Sequence, residues 1–279
     1  MPAVQANGIT IEYETTGSPD DEPMLLVMGH NSQLVVWPEK FREELAAEGF
    51  YVIAYDNRDV GKSTWFPAGT QYSVSDMAAD GMGLLDALGI ESAHIAGASL
   101  GGGIVQYMVI EHPQRVRSLC SIMSTTSAPG LPGPPPEKAA AAMALLANPA
   151  TTREEMIEQS VPKAHIVGSE GFDIDDDAVR AMAALTYDRG YNPEGGINQT
   201  MAVAAAYDRT EALGKVTCPT VVIHGTVDPL VHPLGGEWTA KAVPGAELVM
   251  IEGMGHDLPP GAWPIVIDAI TRNARKAQQ

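Results

Sequence analysis

The chain has 279 residues, long for one domain yet within what an α/β fold fills around a single core, so one core with an insertion is the expectation. Its 17 Lys and Arg against 35 Asp and Glu give a formal net charge of -18, which repels phosphate backbones and anionic surfaces and argues against nucleic acid or a membrane as partner. No window approaches the roughly 18 uninterrupted apolar residues of a membrane span, and Met1-Pro2-Ala3-Val4-Gln5 lacks a basic region followed by an apolar stretch, so a cytoplasmic protein is expected.

Apolar runs of strand length alternate with helix-length segments, the pattern of a mostly parallel sheet covered on both faces. Residues 4–16, with Asn7-Gly8 as a turn signal, read as an antiparallel hairpin at the sheet edge. Residues 24–28 follow as a buried strand, and Gly29-His30-Asn31-Ser32 as the loop after it. Residues 39–48 are helical by period and 51–55 form the next strand. Residues 73–88 carry apolar side chains at helical spacing and stop at Gly89, a C-cap candidate. A strand over 93–96, a helix over 102–112 and a strand over 118–123 come next.

The alternation breaks at residues 129–136, Pro-Gly-Leu-Pro-Gly-Pro-Pro-Pro, which can continue neither a helix nor a central strand. From 137 to about 213 the chain is rich in Ala and Met at helical periods, and strands resume only at 219–223 and 246–251, before a closing helix over 262–276. The expected organisation is a core in two parts, 1–128 and 214–279, with a helical cap over 129–213. Cys120 and Cys218 lie at or beside strand-like runs, where buried reduced thiols are expected and neither a disulfide nor a metal site is implied.

Ser99 sits in Gly97-Ala98-Ser99-Leu100-Gly101, between the strand at 93–96 and the helix at 102–112. In such a strand-turn-helix setting a serine is lifted out as a nucleophile, and the small residues Gly97, Gly101 and Gly102 let the chain bend without clashes. A phosphate-binding turn is the competing reading, but neither the Gly-x-x-x-x-Gly-Lys nor the Gly-x-Gly-x-x-Gly spacing is present.

A serine hydroxyl needs a base within hydrogen-bond reach and a third group to orient that base. Of seven histidines, His256 is the best placed, because Gly253-Met254-Gly255-His256 directly follows the last strand. His94 falls inside a strand, His112 near a helix end, and His165 and His232 in segments outside the expected site. The orienting carboxylate should also follow a strand, and Asp228 does so after the run ending at Ile223. A turn-forming Asp before Pro229 is its alternative reading. The residues after the preceding strand, 122–127, contain no Asp or Glu. The order Ser99, Asp228, His256 is that expected of an α/β hydrolase. His224, at a strand end, reads as a hydrogen-bonded structural residue.

Leu26-Val27-Met28-Gly29, the stretch from Tyr55 to Ser63, the Ser99 turn and Gly253-Met254-Gly255-His256 together resemble the α/β-hydrolase superfamily and, within it, the aclacinomycin methylesterases. That resemblance implies an α/β-hydrolase fold, with nucleophile, acid and base at Ser99, Asp228 and His256 and no metal or organic cofactor. It also implies two oxyanion donors, the N–H of Leu100, after the nucleophile, and that of His30, in the loop after the strand at 24–28. The Met28-Gly29 dipeptide departs from the superfamily's commoner His-Gly and is shared with the methylesterases. The His30 side chain has two readings, one facing the site and one on the surface. Asp56, Arg58 and Asp59 belong to a loop that resembles the family's, and ester chemistry demands none of them, so they read as structural charges. Met143, Met156, Met182 and Met201 read first as core filling, with an adaptable apolar pocket as the second reading.

The expected function is a serine carboxylesterase acting on esters of apolar small molecules, polycyclic ones among them, through an acyl-enzyme. An acyltransferase, perhydrolase or C–C bond hydrolase using the same triad is the alternative, followed by a ligand-binding protein with a hydrolase shell. Natural substrate and oligomeric state are not legible in the sequence.

Overall fold

A computed structural model, describing residues 2–133, 135–137, 140 and 149–278, gathers the predicted strands into one eight-stranded sheet. The strands are β1 (Ala3–Ala6), β2 (Ile9–Thr16), β3 (Glu22–Val27), β4 (Phe50–Tyr55), β5 (Ala93–Ala98), β6 (Val116–Ile122), β7 (Thr220–Gly225) and β8 (Glu247–Ile251). Their spatial order is β1-β2-β4-β3-β5-β6-β7-β8, antiparallel only through the β1–β2 hairpin and its pairing with β4, and parallel from β4 to β8. Asn7 and Gly8 turn the hairpin with φ of 48° and 78°, the positive pair that a tight two-residue connection between right-twisted strands requires.

Around the sheet run α1 (Glu39–Ala47), α2 (Val74–Ala87), α3 (Leu100–Glu111), α4 (Arg153–Val167), α5 (Asp176–Gly190), α6 (Pro193–Ala204), α7 (Thr210–Leu213), α8 (Leu234–Ala242) and α9 (Trp263–Arg275). Side chains alternate along β3: Leu25 and Val27 face a core built with α2 and α3, while Met24 and Leu26 face one built with α1 and α9. A strand buried on both faces has no polar side, which is why residues 24–28 read as one apolar run. On α9, Val266, Ile267 and Ile270 recur at helical spacing and are buried against that second face, each worth about 2 kcal/mol of removal from water. Ser73 caps α2 in a reciprocal box with Asp76, and Gly89, at φ 71°, follows its C-cap. Helix α8 had no counterpart in the sequence reading; it is short and opens at Pro233 with no side-chain cap.

Between β6 and β7 the described residues form α4 to α7 and no strand. Charged side chains of the core hold this segment down. Asp56 is fully buried and its Oδ2 accepts from Arg189 of α5 at 3.0 Å, while Asp59 Oδ2 accepts from Asn198 of α6 at 3.0 Å. Arg58 pairs with Asp80 of α2 at 2.6 Å. These three residues hold structure, and they do so both within their own loop, where Asp56 Oδ2 accepts from the Lys62 N–H and Asp59 Oδ1 from the Phe66 N–H, and through partners far along the chain. Met156 is half-buried, Met182 packs partly buried against the second core face, Met201 is exposed, and Met143 lies outside the described residues. Both cysteines are free; burial pushes both thiols up, that of Cys218 to about 11. No described helix is long and apolar enough to cross a membrane.

Candidate active site

Ser99 occupies the turn between β5 and α3 with φ 57° and ψ -120°, a backbone state costing a side-chain-bearing residue about 1–3 kcal/mol. The turn is held from both sides, by the Ser99 N–H donating to Ile122 O at 2.9 Å and the Gly103 N–H donating to Ser99 O at 3.2 Å. A Cβ on Gly97 would lie 2.1 Å from Gly101 O, and one on Gly101 would lie 2.1 Å from Val27 O. Only glycine fits either place, so the sequence requirement and the close approach of α3 to the sheet are one fact.

Asp228 follows β7 and is buried. Its Oδ1 accepts from the Leu230 and Val231 N–H groups, both at 2.9 Å, and its Oδ2 lies 2.8 Å from His256 Nδ1. The turn reading and the acid reading of this residue are therefore both realised, one by each oxygen. Burial works to raise the carboxyl's pKa, but hydrogen bonds from His224 and His256, the His256 charge and the Val231 N–H together hold it well below the usual range.

The ionised Asp228 can only accept, so His256 Nδ1 carries the proton and Nε2 presents its lone pair. That Nε2 lies 2.8 Å from Ser99 Oγ, whose hydroxyl is then the donor. Nucleophile, imidazole and carboxylate, 157 and 28 residues apart in sequence, form one continuous chain of hydrogen bonds.

A sequence profile described as alpha/beta hydrolase fold matches residues 22–259. The chain is 32% identical over 287 aligned positions to rhodomycin D methylesterase DauP of Streptomyces sp. (strain C5), covering 96% of each protein. It is 31% identical, with the same coverage, to rhodomycin D methylesterase DnrP of Streptomyces peucetius. Among solved structures, a thermophilic esterase from Thermogutta terrifontis superposes with a TM-score of 0.77 at 27% identity, over 100% of both chains. This chain belongs to the alpha/beta hydrolase fold family.

In this hydrolase the loop after β3 runs against the Ser99 turn. A Cβ on Gly29 would stand 2.9 Å from Ser99 Cβ and 3.0 Å from Ala98 O, so the loop packs directly on the Ser99 turn only because this residue is glycine. Leu100 opens α3, where an N–H has no helical acceptor, and no described residue accepts the His30 N–H. The His30 imidazole is tied to α6, its Nε2 lying 2.8 Å from Gly196 O and 2.9 Å from Thr200 Oγ1. His224 donates from Nε2 to Val231 O at 2.9 Å, and the same nitrogen lies 3.4 Å from Asp228 Oδ2, so its structural role places it against the carboxylate. The other histidines make no hydrogen bond to Ser99: His94 lies in β5 against Ser118, His112 caps the end of α3, His165 meets Asp176 and His232 accepts from the Leu234 N–H.

The sequence reading missed how the segment between β6 and β7 braces the His256 loop. The His256 N–H donates to Val167 O at 2.7 Å, the Gly255 N–H to Ser169 Oγ at 3.0 Å, and Ser169 Oγ to Asp257 Oδ1 at 2.5 Å. On the other wall Gln199 of α6 accepts from the Asn31 N–H at 2.7 Å and donates to Arg58 O at 3.0 Å. Nothing periodic or compositional marks Ser169 or Gln199, because each acts through two hydrogen bonds to residues far away in sequence.

Proposed function

We propose that the protein is a serine carboxylesterase whose substrates are apolar, bulky small-molecule esters, in keeping with the methylesterase names of its relatives. The observation that carries this reading is the His256 imidazole placed 2.8 Å from both Ser99 Oγ and Asp228 Oδ2. In the proposed mechanism Ser99 Oγ attacks the ester carbonyl while His256 Nε2 takes its proton, and Asp228 stabilises the imidazolium that forms. Negative charge develops on the carbonyl oxygen, where the N–H groups of Leu100 and His30 receive it, each donor being worth about 3 kcal/mol. Collapse of the tetrahedral species breaks the C–O bond, and the leaving alkoxide recovers the proton from His256. Water, deprotonated by the same imidazole, then attacks the acyl-enzyme and releases the acid and Ser99.

The segment over 129–213 is proposed to act as a cap that selects what reaches Ser99. The strain at Ser99 and the buried, doubly supported Asp228 favour catalysis over simple ligand binding, since a binding shell needs neither. Substitution Ser99→Ala is the test: hydrolysis of short p-nitrophenyl esters should be lost with the circular dichroism spectrum and melting temperature retained. Activity that persists in that variant would refute the mechanism.

A further inference from the structure

His224, the penultimate residue of β7, is fully buried, and its two ring nitrogens stand in different surroundings. Nε2 lies 2.9 Å from Val231 O and 3.4 Å from Asp228 Oδ2. Nδ1 is sealed from solvent and has no hydrogen-bond partner among the described residues. A carbonyl oxygen only accepts, so Nε2 carries the proton and Nδ1 a bare lone pair. Gly236, in the first turn of α8, packs on that side of the ring, where an added Cβ would stand 2.6 Å from Nδ1. A second proton there would be buried without an acceptor and beside the positive end of the helix, so the ring serves as an uncharged donor.

A buried nitrogen without a partner is costly, and a leucine would fill the same space without stranding one. Nε2 supplies the reason to keep the imidazole. Asp228 Oδ1 accepts from the Val231 N–H at 2.9 Å, and the carbonyl of that same residue accepts from His224. Val231 is thus held from both sides, which fixes the turn over 228–231. The His224 N–H also leans on Oδ2, the oxygen that faces His256 Nδ1 at 2.8 Å. Burial works to raise the Asp228 pKa, and the His224 contact is the largest of the influences that lower it. A cation here, like the Arg189 guanidinium on Asp56, would offset the negative charge that has to balance an imidazolium at His256.

We propose that His224 is a positioning residue for the proposed acid: its Nε2–H holds Val231 and Asp228 Oδ2 so that the carboxylate stays aimed at His256 with its charge undiminished. This rests on the esterase reading above and adds a fourth side chain to the Ser99, His256 and Asp228 chain of hydrogen bonds.

The test pairs His224→Leu, which keeps the bulk and loses the donor, with His224→Gln, whose amide nitrogen can take the place of Nε2. With a p-nitrophenyl ester, His224→Leu should lower kcat about tenfold or more and leave KM within about twofold, because Asp228 touches no substrate. His224→Gln should recover most of that loss. The low-field proton resonance of the His256 Nδ1–H reads its bond to Asp228 directly; it should shift and broaden in the Leu variant and return in the Gln variant. A folded Leu variant with wild-type kcat overturns the proposal. So do Leu and Gln variants that are equally slow with that resonance unmoved, the mark of a merely structural ring.

Should His224→Leu fail to fold, nitrogen NMR of histidine-labelled wild type still decides the matter. His224 should show a protonated Nε2 and a bare Nδ1 at pH 7, and the reverse tautomer or a doubly protonated ring overturns the proposal. The His256 resonance needs no turnover, so it separates the two readings. A wild type that hydrolyses no ester, with that resonance still dependent on the residue 224 donor, would refute the esterase and leave the positioning role standing.

Discussion

Asp56 and Asp228 are both buried carboxylates that follow the C-terminal end of a parallel strand, the first after β4 and the second after β7. Each meets a nitrogen from a distant part of the chain, Arg189 at 3.0 Å and His256 at 2.8 Å. Each also accepts backbone N–H groups, from Leu34 and Lys62 on Asp56 and from Leu230 and Val231 on Asp228. Burial and pairing therefore do not distinguish a structural carboxylate from the proposed catalytic one. The partner does: a guanidinium keeps its proton at any pH a protein meets, whereas an imidazole can take a proton from Ser99 and return it.

The largest effect expected from breaking this comparison is on turnover. Asp228→Asn keeps the volume but offers His256 an amide that cannot stabilise an imidazolium, and kcat for a p-nitrophenyl ester should fall about 10⁴-fold. Asp56→Asn should leave kcat of the folded protein within a few-fold. A loss of kcat from Asp56→Asn as deep as that from Asp228→Asn, with the fold retained, would erase the distinction.

Stability should respond in the opposite sense. Arg189→Met leaves Asp56 buried without its cation, and breaking such a buried pair costs about 3–5 kcal/mol, read as a lower urea midpoint at pH 7. A variant as stable as wild type would mean that the segment between β6 and β7 is held mainly by other contacts.

Acid sharpens the contrast further. The folded-state pKa of Asp228 lies below its unfolded value of about 3.9, so its stabilisation is fully present above that value and is lost as pH falls through it toward the folded pKa. Urea midpoints taken from pH 5 down to pH 3 should decline more steeply for wild type than for Asp228→Asn. Parallel declines would show that the carboxylate gains nothing from its two imidazoles. The smallest effect expected is at a place remote from either carboxylate: Ser73→Ala removes the cap of α2 and should cost about 1 kcal/mol with kcat unchanged.

Residues near one another in sequence were legible wherever backbone geometry restricts the choice of side chain. Asn7-Gly8, Gly89 and the Gly97-to-Gly101 turn each satisfy a local demand, for a positive φ or for a missing Cβ, and each stands where it was expected. Strand and helix periods located β3 to β8, α1 to α3 and α9 to within a few residues, because burial on a regular element repeats with the element. Ser99, Asp228 and His256 were legible for a related reason: each directly follows a strand, and parallel strands bring their C-terminal ends together.

The partners of those residues were a different matter. Arg189 meets Asp56 across 133 residues, and Ser169 meets Asp257 across 88. Nor could sequence choose between the two orientations of His30, since the imidazole is turned by Gly196 and Thr200, 166 and 170 residues away. Amino-acid order by itself determined the sheet, the strained serine and the positions available to acid and base, since these follow from sterics and periodicity over a few residues. Which cation closes which carboxylate, and what the walls of the cleft present to a substrate, was decided only when the segment between β6 and β7 packed onto the core. Contacts of that kind depend on the relative placement of whole elements, which no local pattern encodes.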